Sequence, residues 1–133
     1  MIFEMLLNKI PHKKVETDIE AIDLYQLGTF KESAYTLVEL QQGKNYPPHV
    51  HHHSKARLHV VLGKGIIIIG KKENKYCAGD YFLIPKGESH GFKIKEQTLL
   101  LSIETPPIID AETQEVDIEY VDSKKKGGRV TNK

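Results

Sequence analysis

Residues 43–53 read GKNYPPHVHHH, and residues 79–90 read GDYFLIPKGESH. Together these two stretches hold five of the chain's seven histidines. His49 and His51 lie two residues apart, so on a strand their side chains share one face. Pro47 and Pro48 fix φ and hold the approach to His49 extended. His90 follows the Pro85-Lys86-Gly87 turn and opens another strand-like run. Neutral imidazole is the commonest protein ligand for borderline transition metals. A third imidazole from a neighbouring strand completes one face of a coordination sphere. The spacing predicts a metal held inside a β-structure.

The sequence around these stretches is a series of short strand-like runs broken by Gly and Pro. Ile19 to Leu27 reads as a first strand or strand pair, closed by Gly28. Ala34 to Leu40 is rich in strand formers and partly alternates. Residues 41–48 read as a loop. Arg57 to Leu62 reads as a strand, followed by a Gly63-Lys64-Gly65 turn. Ile66 to Ile69 is a run of isoleucine without alternation, which predicts burial on both faces. Lys71 to Lys75 reads as a hairpin tip, and Tyr81 to Pro85 and Thr98 to Ile103 as strands. Ile118 to Val121 is a candidate edge strand. Many short strands with Gly and Pro turns predict a sandwich or closed barrel.

At 133 residues the chain is long enough for one core without disulfide support. The expected domain is 1–122, with 123–133 as a basic, flexible, solvated tail. The formal net charge is +1, so charge offers no case for nucleic acid or a membrane as partner. Three adjacent lysines in the tail, without aromatics, do not change that. Cys77 is the single cysteine, which excludes an intrachain disulfide and fits a reducing compartment. Residues 1–11 carry Glu4 and lack a basic leader or a long apolar core. No run approaches the ~18 apolar residues of a membrane span. The expectation is a cytoplasmic protein.

The spacing of the two stretches resembles the cupin family. That family's first motif has Gly, five residues, His-x-His, three or four residues, Glu, six residues, then Gly. Gly43, His49, His51 and Gly63 fall in that register. The second motif has Gly, five residues, Pro-x-Gly, two residues, His, three residues, then Asn. Gly79, Pro85, Gly87 and His90 match it, and Ile94 stands at the Asn position. The resemblance implies an all-β, double-stranded β-helix (jelly-roll) barrel. It also implies one divalent transition metal (Fe, Ni, Mn or Zn) on His49, His51 and His90. A homodimer is the family's habit. One departure stands out: Ala56 occupies the position of the metal-binding Glu, and no Asp or Glu occurs between Glu39 and Glu73.

Several residues are candidates to complete such a site. His53 continues the alternation of His49 and His51, whereas His52 faces the other way. A regular strand puts His59 on the face opposite Ala56; a bulge near Ser54-Lys55 would turn it inward as a ligand or base. Arg57, if inward, would grip a substrate carboxylate or phosphate. Tyr46 and Tyr81 are candidate phenolic acids. Three functions are compatible with this set. The first, implied by the resemblance, is a three-His dioxygenase acting on a small anionic substrate. The second is a sugar or carbonyl isomerase, epimerase or lyase. The third is a non-catalytic module that binds a metal or small molecule.

Overall fold

Alternation decides which side of each strand is inside. Thr36, Val38 and Leu40 face one way, as do Leu58 and Val60, and Leu100 and Ser102, with Leu40, Leu58, Val60 and Leu100 in one buried cluster. The computed structural model describes residues 7–17, 19–123 and 125–132. Its strands are β1 (His12–Glu16), β2 (Ala21–Phe30), β3 (Ser33–Leu40), β4 (Asn45–Val50) and β5 (Lys55–Ile69). They continue as β6 (Lys72–Cys77), β7 (Tyr81–Ile84), β8 (His90–Thr105), β9 (Glu119–Tyr120) and β10 (Arg129–Asn132).

The two longest strands, β5 and β8, pair antiparallel from Lys55 opposite Thr105 to Ile69 opposite His90. Each changes neighbours along its length. The first half of β5 takes β7 and its second half takes β6. The first part of β8 takes β4 and its later part takes β3. From β3 the pairing continues through β2 and β1 to β10, and from β4 to β9. This is a jelly-roll barrel of the double-stranded β-helix type, and its core sits between the two groups of strands.

The change of neighbours falls where β5 shifts register, between Val60 and Gly65. Gly63 has φ +100°, and a Cβ there would collide with the backbone at Gln97 and Thr98. Only glycine allows β8 to come that close while the strand bends. Tyr76 and Thr98 lock the same corner with a buried 2.6 Å hydrogen bond between their hydroxyls.

Several local expectations are corrected. Gly63-Lys64-Gly65 does not reverse the chain, because β5 runs on through it to keep its ladder with β8. Of the four isoleucines, Ile67 is fully buried and Ile66, Ile68 and Ile69 are half-buried. The 41–48 segment is strand from Asn45 onward, and β2 passes through Gly28 with a register shift. The expected 71–75 tip shrinks to Gly70-Lys71, since Lys72–Cys77 pairs with β5. Within the expected flexible tail, Arg129–Asn132 forms β10 against β1. Among the described residues, no helix is long and apolar enough to cross a membrane.

Candidate metal centre

Two strand ends bring the histidines together. His49 near the end of β4 is the ladder partner of His90 at the start of β8. The β4–β8 register shifts between Tyr46 and His49, where Pro47 and Pro48 interrupt the ladder because they lack N–H donors. Gly91 lets the strands close up at this point. A Cβ there would come within 2.7 Å of the Tyr46 carbonyl oxygen. His51 follows β4, two residues after His49, and completes the group.

His49, His51 and His90 are 7%, 6% and 4% exposed. Their ring centroids lie 4.9 Å (His49–His51), 4.3 Å (His49–His90) and 5.1 Å (His51–His90) apart. One ligand atom from each falls within 4.8 Å of the others. Burial, with the neighbouring His90 and His51, holds His49 well below the usual imidazole range. Burial lowers His51 against the pull of the Asp117 backbone. Burial and His51 push His90 down to about 3. Three neutral imidazoles with converging nitrogens are a donor set for a divalent transition ion.

The ring nitrogens bear this out individually. His51 Nδ1 lies 2.6 Å from the Asp117 carbonyl oxygen, which only accepts, so Nδ1 carries the proton. That leaves Nε2 with a free lone pair. His49 Nδ1 is buried and makes no hydrogen bond of standard geometry, although the Pro47 backbone interacts with the ring. An orphaned buried imidazole nitrogen is costly unless something else satisfies it. The residues therefore fit a metal.

The cavity beside the histidines has a volume of about 360 Å³. Its walls are mostly apolar, with Val38, Leu58, Phe92 and Leu100 from the barrel and Ile109 and Val116 from the segment after β8. Glu20 and Glu104 also line it. Burial pushes Glu104 up to about 7, against smaller contrary effects of the Ser102 side chain and the Ile108 backbone. Burial also takes Glu20 to about 7, opposed by the Tyr120 hydroxyl and Lys44. Neither Glu20 oxygen makes a hydrogen bond of standard geometry. Tyr120 packs its ring 5.7 Å from that of His49, and its hydroxyl accepts a hydrogen bond from Thr17 at 3.2 Å.

Asp117 ties the segment over the cavity to the histidine loop. Its carboxylate accepts the backbone N–H groups of His52, His53 and Ser54 at 2.9, 2.8 and 3.1 Å. Burial alone would raise its pKa. The N–H donors of His53 and His52, the nearby His51 and the Ser54 N–H hold it below the usual carboxylate range.

The other candidates from the sequence lie elsewhere. His53 is exposed in the bend after His51, because the chain leaves the strand there. His52 is exposed and bonds Glu119 at 3.1 Å. Arg57 and His59 are exposed, since β5 alternates regularly from Lys55 and turns Ala56, Leu58 and Val60 inward. The bulge that would have turned His59 inward is absent at Ser54-Lys55; His59 packs on exposed Tyr81 at 4.7 Å. Tyr46 does line the cavity, but its hydroxyl accepts the Gln41 N–H at 3.0 Å. Ala56 is buried at the cavity wall. Asp117, Glu104 and Glu20 escaped the sequence reading. Glu104 alone left a local signal: a carboxylate in phase with inward-facing Leu100 and Ser102.

A family model described as the cupin domain matches residues 36–104. The barrel also matches solved structures. KdgF from Halomonas sp. is 21% identical, with a TM-score of 0.61 over 65% of this chain and 81% of that one. A predicted oxalate decarboxylase from Thermotoga maritima is 17% identical, with a TM-score of 0.63 over 76% of this chain and 96% of that one. A cupin-2 domain protein from Shewanella frigidimarina is 22% identical, with a TM-score of 0.55 over 62% of this chain and 78% of that one. At these identities the likeness is one of fold. No curated protein matches the chain in sequence.

Proposed function

The chain belongs to the cupin domain family, and on that premise we propose a metal-dependent enzyme acting on a small carbonyl compound. The observation that carries this reading is the convergence of three buried imidazoles, with ligand atoms within 4.8 Å, at the wall of a mostly apolar cavity. His49, His51 and His90 would hold one divalent ion, with Fe, Ni, Mn and Zn all compatible with imidazole. Such an ion polarises a carbonyl oxygen without a protein carboxylate to offset its charge.

The chain's own groups supply the rest. The Asp117 carbonyl keeps the His51 proton on Nδ1. The apolar walls exclude water and favour a ligand with an apolar body. Glu104 and Glu20, both poised near neutrality, favour proton transfer on that ligand, as in an isomerase or lyase. Arg57 is too exposed to grip an anionic substrate inside the barrel, so the small anionic substrate expected from the sequence fits less well.

The ligand set favours a second reading. Three imidazoles without a carboxylate suit a dioxygenase that takes an anionic, bidentate substrate. Native protein is expected to carry about one divalent transition ion per chain, lost in His90→Ala, by elemental mass spectrometry. Turnover unchanged under strict anaerobiosis supports the isomerase or lyase; turnover abolished by anaerobiosis supports the dioxygenase. A protein that carries no metal under native purification and binds none on addition refutes both.

Assembly as a homodimer is part of the same proposal. The exposed residues Val61, Tyr81 and Leu83 share the outer face of β5 and β7 with Arg57 and His59, and this mixed face is the surface on which we place the dimer contact.

A further inference from the structure

Glu104 lies near the end of β8 and lines the same cavity as His49, His51 and His90. Its ladder partners are Ala34 on β3 and Ala56 on β5, and both of these line the cavity too. Residues opposite each other on adjacent strands share a face. Glu104 thus has a methyl group on either side and open cavity in front. Ala56 is the position at which the first motif calls for Glu. The carboxylate that the motif places on β5 stands one strand across, on β8.

That displacement changes what a carboxylate can do. Among the described residues, no carboxylate oxygen joins the group of ligand atoms formed by the three histidines. The Glu104 carboxyl is engaged instead by the Ser102 side chain and the Ile108 backbone. Neither is a cation, and among the described residues no ion pair involves Glu104. Glu104 is only 7% exposed. Burying a carboxyl away from any cation costs free energy, and the strand could carry an apolar residue there at no such cost. The surrounding walls, with Leu58, Phe92 and Leu100, offer room for an apolar ligand body, and Glu20 is the other carboxylate that lines the same cavity.

We infer that Glu104 is a catalytic residue that moves a proton on a small carbonyl compound whose carbonyl end faces the three imidazoles. This rests on the metal-centre reading of those histidines. The ionised carboxylate takes the proton from the carbon beside the carbonyl. The C–H bond breaks and an O–H bond forms on Glu104. The C–H electron pair becomes a carbon–carbon double bond, and the carbonyl π pair moves onto oxygen. Where that carbon carries a hydroxyl, return of the proton from Glu104 to the former carbonyl carbon, with the hydroxyl proton passing to the former carbonyl oxygen, gives the isomeric α-hydroxycarbonyl compound. No oxidant, reductant or co-reactant is consumed.

The test uses zinc-loaded protein and 3-hydroxybutan-2-one, a small α-hydroxyketone with an apolar body, as the probe. Three quantities are measured in wild type and Glu104→Gln. They are zinc content, exchange of the probe's C3 proton for solvent deuterium, and the side-chain carboxyl 13C resonance that the variant lacks. The expected result is about one zinc per chain in both proteins. Exchange is expected to be about 100-fold slower in the variant. The assigned resonance should shift when the probe is added to zinc-loaded wild type. Glu104→Ala assigns the resonance and repeats the exchange measurement if the Gln variant fails to fold.

Equal exchange in variant and wild type overturns the inference, as does wild-type exchange no faster than buffer or a resonance that does not move. Loss of zinc from a folded variant also overturns it, because Glu104 would then be a ligand. Wild type that binds no zinc or other divalent ion refutes the underlying metal centre, an outcome separate from all of these.

Discussion

His51 donates its Nδ1 proton to the backbone carbonyl of Asp117 at 2.6 Å, across 66 residues of sequence. The same residue's carboxylate holds the N–H groups of the loop that follows His51. One aspartate therefore sets both the orientation of a candidate ligand and the path of the chain that carries it.

Asp117→Ala removes three charge-assisted hydrogen bonds but keeps the backbone carbonyl. Loss of an outer partner of a ligand typically weakens metal affinity about 10–100-fold. A zinc competition titration should show a loss of that order, with a smaller loss for Asp117→Asn, which keeps one side-chain oxygen. Unchanged affinity in Asp117→Ala would show that the clamp does not position His51.

Glu104 should make the stability of the metal-free protein depend on pH in an unusual direction. Its folded pKa, about 7, lies above the ordinary 4.5. Between those values the unfolded chain has released the proton and the folded chain retains it. The proton-linked stabilisation is fully present below about 4.5, declines as pH rises toward 7, and is absent above. Relative to wild type, Glu104→Gln should therefore gain on the order of 1–3 kcal/mol between pH 4 and pH 8. Urea unfolding of both proteins at the two pH values measures the difference, and a flat difference would place the Glu104 carboxyl in a more polar setting.

Gly91 is where β8 approaches β4 beside His49 and His90. An added methyl would meet the Tyr46 carbonyl at 2.7 Å and the Pro48 nitrogen at 3.0 Å. Both are backbone and cannot swing away. Gly91→Ala should cost about 1–3 kcal/mol by overpacking and lower metal content with it. Thermal unfolding and elemental analysis read the two effects, and a variant with wild-type values for both would mean that β4 can step back freely.

Arg57 and His59 lie outside the barrel wall. Arg57→Ala and His59→Ala should retain the full metal content and change stability by no more than about 0.5 kcal/mol each. Loss of metal from either would move β5 out of its assigned register.

Leu83 is half exposed on β7, opposite Arg57 in the ladder and on the same face as Tyr81. Light scattering should give a dimer mass for the wild type and a monomer mass for Leu83→Lys. A monomeric wild type removes the dimer.

The barrel was legible because its signals are local. Strand formers between Gly and Pro turns mark most of the strands, and the motif spacing carries its family's fold with it. The errors came where one strand must continue past a break. Gly63 and Gly65 look like a turn because nothing in the local sequence shows that β5 must stay paired with β8 on both sides of them. Likewise the basic end of the chain gives no hint that Val130 pairs with Val15.

The candidate site divides along the same line. From the sequence came a sandwich or barrel of short strands and the shared face of His49 and His51, because both are short-range properties of the chain. The resemblance of the Gly-Pro-Gly-His register to the cupin family implied that His90 joins them. Tertiary structure alone decided which neighbours those imidazoles have. Asp117 reaches His51, Tyr120 packs on His49, and Glu104 stands beside Ala56 only because the barrel closes. Closure brings together residues about 50–70 positions apart, and no local preference of the chain encodes those distances. The same closure left Arg57 and His59 outside, since a regular strand can turn only every second side chain inward.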